Sequence, residues 1–155
     1  MRSTSFNLDL DVQFGTARLQ EKWQEDITTA KTKKWVKAAL QNNATITLRF
    51  VGQAEGKKLN STYRHKDYAT NVLTFPYGSP PGSNDVFADI VICLPVVEKE
   101  AKQQKKTFEQ HLIHLIVHGT LHAQGFDHEE SVEAEAMEEL EVAILKKLKQ
   151  VNPYI

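Results

Sequence analysis

One stretch, His118-Gly-Thr-Leu-His122-Ala-Gln-Gly125-Phe-Asp-His128, limits what this chain can become more than any other. Its histidines stand at i, i+4 and i+10, with a glycine at i+7. Upstream, Phe108-Glu-Gln-His-Leu-Ile-His-Leu-Ile-Val117 predicts a helix opened by a capping box between Thr107 and Gln110. On a helix, residues four apart have Cβ atoms about 5–6 Å from each other. The imidazoles of His118 and His122 can therefore converge on one ion at about 2.0–2.1 Å, the usual Zn–N distance. His128 cannot join them if the helix continues, because six further residues carry it about 9 Å along the axis and onto another face. The chain must turn back, and Gly125, which tolerates φ > 0, permits it. His111 and His114, on the same helix, are expected to be packed or hydrogen-bonded core residues.

Ligand type points to the chemistry. Imidazole suits Zn, Cu, Ni or Fe, and three histidines without a fourth protein ligand form the open arrangement of catalytic zinc. Structural zinc sites are closed, usually by several cysteines, and this chain has only Cys93. One Zn²⁺ on His118, His122 and His128 is expected, with water in the open position and its pKa lowered to about 7. Hydrolysis is the default reaction. The spacing is that of the long zinc-protease motif, in which a glutamate after the first histidine is the general base. Gly119 stands at that position and counts against a peptidase.

With 155 residues, 41% hydrophobic and 25% charged, the chain is expected to fold as one domain over residues 1–155. A net charge of −1 supplies no global basic field, so any contact with RNA must come from a local cluster. A single cysteine excludes an internal disulfide and suits a reducing compartment. No apolar run approaches the roughly 20 residues of a membrane span, and the N-terminus lacks a signal-peptide core, so a cytoplasmic location is expected.

Phe6, Leu8, Leu10, Val12 and Phe14 alternate with polar residues and predict a strand; Ile46, Leu48 and Phe50 predict another. Helical character is expected in part of Arg18–Ala30, near Thr32–Gln41 and over Gly52–Tyr63. A strand at Val72–Phe75 should lead into a loop from Pro76 to Asp85, then a buried strand at Val86–Leu94. Asp89 inside that apolar run either faces solvent or serves a site. Pro95 can open a charged helix or linker to Lys106. Ser131–Lys149 predicts an amphipathic helix whose role is scaffolding, with Ala134, Met137, Leu140, Ile144 and Leu148 on its packing face. Arg64, His65 and Lys66 gather positive charge just before a strand, and the Arg64 guanidinium offers a fork suited to phosphate oxygens.

From Leu59 onward the chain resembles the YbeY family of bacterial zinc-dependent endoribonucleases. The resemblance rests on Leu59-Asn60, Tyr63-Arg64, Lys66-Asp67, Thr70–Pro76, Asp89–Cys93 and the His118–His128 stretch with Gly119, Gly125 and Asp127. The first fifty residues match in pattern only. Ala88 departs from the glycine usual in that family before the aspartate. The resemblance implies an α+β domain with a small mixed sheet packed against several helices and a zinc site at the end of a central helix. It implies that His118, His122 and His128 ligate zinc and that Arg64 matters for activity. It also implies that the strand carrying Asp89 borders the functional cleft and touches a ribosomal partner. Asp127 is a candidate orienter of a ligand histidine, and His65 a further contact. The expected reaction is hydrolysis of single-stranded ribosomal RNA during ribosome assembly, with ribosomal proteins or assembly GTPases as partners. The alternatives are a zinc hydrolase acting on peptides or small molecules, and a non-catalytic assembly factor whose zinc holds the fold.

Overall fold

A computed structural model describes residues 5–126 and 131–154. The two alternating segments become parallel neighbours, β1 (Leu8–Phe14) and β2 (Ala44–Val51). Between them run α1 (Ala17–Trp23) and α2 (Thr29–Ala38), each opened by a threonine, Thr16 or Thr28, whose hydroxyl accepts a backbone N–H of the first turn. The second of these helices begins and ends about three residues earlier than its apolar pattern indicates, because Thr28 supplies the cap. α3 (Gln53–Arg64) then leads to β3 (Val72–Gly78) and β4 (Val86–Cys93).

The sheet order is β1-β2-β4-β3, with β2 and β4 parallel and β3 antiparallel on the edge, an α+β arrangement with a mixed sheet. Pro76, Tyr77 and Gly78, expected in a loop, belong to β3. An edge strand tolerates proline because one side of it needs no ladder bond. A register shift between Pro76 and Gly78 leaves Tyr77 as the extra residue of a bulge.

One sheet face carries the main core. Ile46, Leu48 and Phe50 of β2 and Ala88, Ile90 and Ile92 of β4 are buried there. They pack with α2 and with α5 (Phe108–Ala123), which the expected capping box of Thr107 and Gln110 opens. The opposite face holds a small second core of Val51, Leu73, Val91 and Cys93 alongside Leu59 of α3. α4 (Leu94–Gln103) begins with proline in its first turn, as expected, and α6 (Ser131–Lys147) packs on α5. No helix among the described residues is long and apolar enough to cross a membrane.

Candidate active site

α5 lies across the sheet at the edge strand, and Gly119 sets how closely it approaches. A Cβ on Gly119 would stand 3.1 Å from Ile90 Cγ2 and 3.3 Å from Val72 Cγ2. The position that holds glutamate in the zinc-protease motif is thus pressed against strands, and the cleft opens at His118 before it and His122 after it. His118 and His122 line that cleft, a hollow of about 590 Å³, with Arg64, Asn71, Thr74 and Phe126. The two histidine rings are 4.7 Å apart, centroid to centroid, as one helical turn dictates.

The helix ends as its glycine predicts. Gly125 has φ +95°, its N–H donates to the His122 carbonyl, and the Phe126 N–H donates to the Leu121 carbonyl. These are the paired bonds of a Schellman motif, and Phe126 adds the apolar contact that accompanies it. Asp127 and His128, a candidate orienter and the third expected ligand, lie outside the described residues. Gly125→Val should force a β-branched residue into left-handed backbone and weaken metal binding at least tenfold, read by competition with a chromophoric chelator. Unchanged affinity would show that the turn does not gather the ligands.

Behind the histidines sits a carboxylate that the sequence pattern assigned to scaffolding. Glu141 of α6 is fully buried and accepts hydrogen bonds from both His118 and His114. The His118 contact is through Nδ1 to Glu141 Oε1, and the His114 contact is through Nε2 to Oε2 at 3.1 Å. The Tyr154 hydroxyl donates to Oε2 at 2.5 Å. Burial pushes the Glu141 carboxyl up, but the bonds from His114, His118 and Tyr154 outweigh it and hold it at about 2. Burial and this carboxylate together raise the Tyr154 hydroxyl above its ordinary range. α6 is therefore more than scaffold. The signal was an acidic residue in register with Met137, Ile144 and Leu145, all buried. A carboxylate on a packing face is costly unless it is paired.

His114, His118 and Glu141 form a group able to hold a metal ion, their ligand atoms all within 4.8 Å of one another. It shares only His118 with the expected ligands. The same geometry also suits a supporting layer, in which a carboxylate takes the Nδ1–H of a ligand histidine and turns its other edge toward the cleft. His111, as expected, is a hydrogen-bonded core residue: it is buried with Nε2 2.8 Å from Glu100 Oε1. Glu100 also receives the Asn71 side-chain N–H at 3.0 Å, tying a cleft wall to α4.

The remaining candidates divide. Arg64, the last residue of α3, lines the cleft with the histidines. His65 is exposed and takes left-handed backbone (φ 58°) as the C-cap of that helix. The strand of Asp89 packs beneath α5 through Ile90, and Asp89 itself lies on the other face of the sheet. Ala88 and Ile90 point into the main core, so the residue between them must point away. Asp89 accepts the Tyr77 hydroxyl at 2.6 Å in a separate hollow of about 550 Å³.

Comparison with known proteins decides the family. The profile described as endoribonuclease YbeY matches residues 12–149, reaching well before Leu59, where the resemblance in the sequence begins. The chain belongs to the endoribonuclease YbeY family. A relative from Polynucleobacter asymbioticus, named endoribonuclease YbeY, is 51% identical across 99% of this chain and 97% of its own length. One of the same name from a Janthinobacterium species is 55% identical, covering 96% and 95%. The chain is also similar to a Thermotoga maritima protein known from its solution structure. That likeness has a TM-score of 0.57 and 26% identity over 90% of this chain and 91% of the other. Membership in the YbeY family makes this chain a nuclease of the hydrolase class.

Proposed function

We propose that the chain is a zinc-dependent endoribonuclease preferring single-stranded RNA and acting in ribosomal RNA processing and ribosome assembly. The observation that carries the reading is the convergence of His118, His122 and Arg64 on one open cleft of a chain in the YbeY family. His118, His122 and His128 would hold one Zn²⁺, and bound zinc would supply Lewis acidity and activate water for phosphodiester hydrolysis. The donor set fits such an ion: two imidazoles on adjacent turns of one helix, backed by a buried carboxylate.

The chain's own groups do the rest. Glu141 fixes the tautomer and aim of His118 by accepting its Nδ1–H. Arg64 binds and orients the phosphate and stabilises negative charge as it grows on the phosphoryl oxygens. Thr70 and Thr74 line the wall beside it and offer polar contacts. An open cleft suits an unpaired strand, whose backbone can bend into it more readily than a duplex can. The cellular partners in this reading are ribosomal RNA with ribosomal proteins or assembly GTPases, and its setting is the cytoplasm.

The deciding experiment combines metal analysis with RNA cleavage for wild type, His122→Ala and His114→Gln. Zinc should be lost from His122→Ala together with cleavage, while His114→Gln should retain most of its zinc. Loss of zinc from His114→Gln alone would move the ligand set to His114, His118 and Glu141. Arg64→Ala should keep its zinc and lose about 100-fold or more in kcat on single-stranded RNA. Wild-type turnover by that variant would remove Arg64 from the mechanism.

A further inference from the structure

The hollow on the far face of β3 is unused by the reaction described above, yet it adjoins the cleft residue by residue. Arg64 lines the cleft and Tyr63 lines this hollow. Thr74 and Pro76 line the cleft, whereas Phe75 and Tyr77 line the hollow. Only the thickness of β3 separates the two, and β3 is the edge strand of the sheet. A polymer lying in the cleft and passing over that edge arrives at Tyr63 and Tyr77.

These two rings are 62% and 66% exposed, an unusual state for large aromatic side chains that are nevertheless held in place. Tyr63 packs edge-on against Phe75, with centroids 5.2 Å apart. Tyr77 sits at the bulge, which re-aims its side chain, and its hydroxyl is anchored on Asp89 at 2.6 Å. The acids of the hollow are engaged. Asp89 holds Tyr77, and Glu55 takes the Arg49 guanidinium through both oxygens at 2.7 and 3.0 Å. Exposed Lys66 stands two residues beyond Arg64 on the same shoulder and adds positive charge.

We infer that Tyr63 and Tyr77 form a stacking platform for bases of single-stranded RNA that flank the scissile bond, the backbone crossing the β3 edge from the cleft. This rests on the ribonuclease reading. Aromatic faces held at fixed positions beside cations are what binds unpaired nucleic acid without regard to sequence, because every base has a π-face. A peptide partner would leave the continuity with a phosphate-handling cleft unused.

The test is cleavage by the zinc-loaded full chain of a labelled, unstructured RNA oligonucleotide long enough to pass beyond the cleft. Wild type is compared with Tyr63→Ala, Tyr77→Ala, the double variant and the Tyr63→Phe/Tyr77→Phe pair. Each alanine should raise KM about tenfold, and the double variant more than either. Zinc content should match wild type, and the phenylalanine pair should restore most of the affinity because the rings remain. An unchanged KM in the double variant, with wild type active, would overturn the platform and leave the ribonuclease reading standing. Equal losses in the alanine and phenylalanine pairs would also overturn it, because hydroxyl contacts rather than stacking would then be responsible. A wild-type protein that carries zinc and cleaves no RNA would overturn both.

Discussion

Glu141→Ala is expected to weaken metal binding by about 10–100-fold, the usual effect of losing a carboxylate that supports a ligand histidine. Glu141 is buried and meets three donors at once, from His114, His118 and Tyr154. Truncation takes their shared acceptor from His114 and His118, while the half-exposed Tyr154 can turn to water, and α6 cannot close the gap without moving Met137, Ile144 and Leu145 out of the core. Unpaired buried polar groups cost about 1–3 kcal/mol each, so the metal-free protein should lose on the order of 3 kcal/mol of stability. Glu141→Gln keeps the volume and one acceptor, but its amide N–H₂ must face a donor, so it should fall between alanine and wild type. Tyr154→Phe removes only one bond and should produce the smallest loss. The measurements are zinc competition titrations and urea unfolding of the chelator-treated protein. Wild-type zinc affinity and midpoint in Glu141→Ala would show that α6 is scaffold after all.

This residue also marks where the sequence stopped being informative. Strands with one buried face were legible because alternation in Leu8–Phe14 and Ile46–Phe50 admits one register only. The central helix and its turn were legible because Thr107, Gln110 and Gly125 have local reasons to be where they are. Glu141 pairs with residues 23 and 27 positions away, and no local pattern announces which distant histidine a helix will meet. For a related reason the sequence leaves open whether Asp89 faces solvent or serves a site: its strand is legible, but the face it presents depends on which side α5 packs, a tertiary choice. The strand at Pro76–Gly78 is not legible because prolines and glycines there look like a loop, while an edge position and a bulge accommodate them.

In the sequence Gly119 stands where a protease carries its catalytic base, and the structure supplies a second reason for it. Glycine in the middle of a helix costs roughly 1 kcal/mol relative to alanine, so it needs a compensating gain. That gain is the close approach of α5 to Ile90, which is fully buried in the core and has no room to withdraw, and to Val72, which lines the cleft. Gly119→Ala should therefore be near neutral to about 2 kcal/mol destabilising, overpacking of roughly 1–3 kcal/mol being partly offset by helix propensity. Gly119→Glu, the substitution that would recreate the protease motif, should be far worse. Its Cβ meets the same two side chains at 3.1 and 3.3 Å, and its carboxylate starts from a buried helix face against an apolar sheet. Insoluble protein, or a drop in Tm well beyond that of Gly119→Ala, is the expected outcome, with no peptidase activity gained. A folded Gly119→Glu protein with wild-type Tm that hydrolyses peptides would show that only the missing base separates this cleft from a protease. Failure of the fold would place the distinction in the helix–sheet spacing, which has no room for a side chain at the position where a protease carries its base.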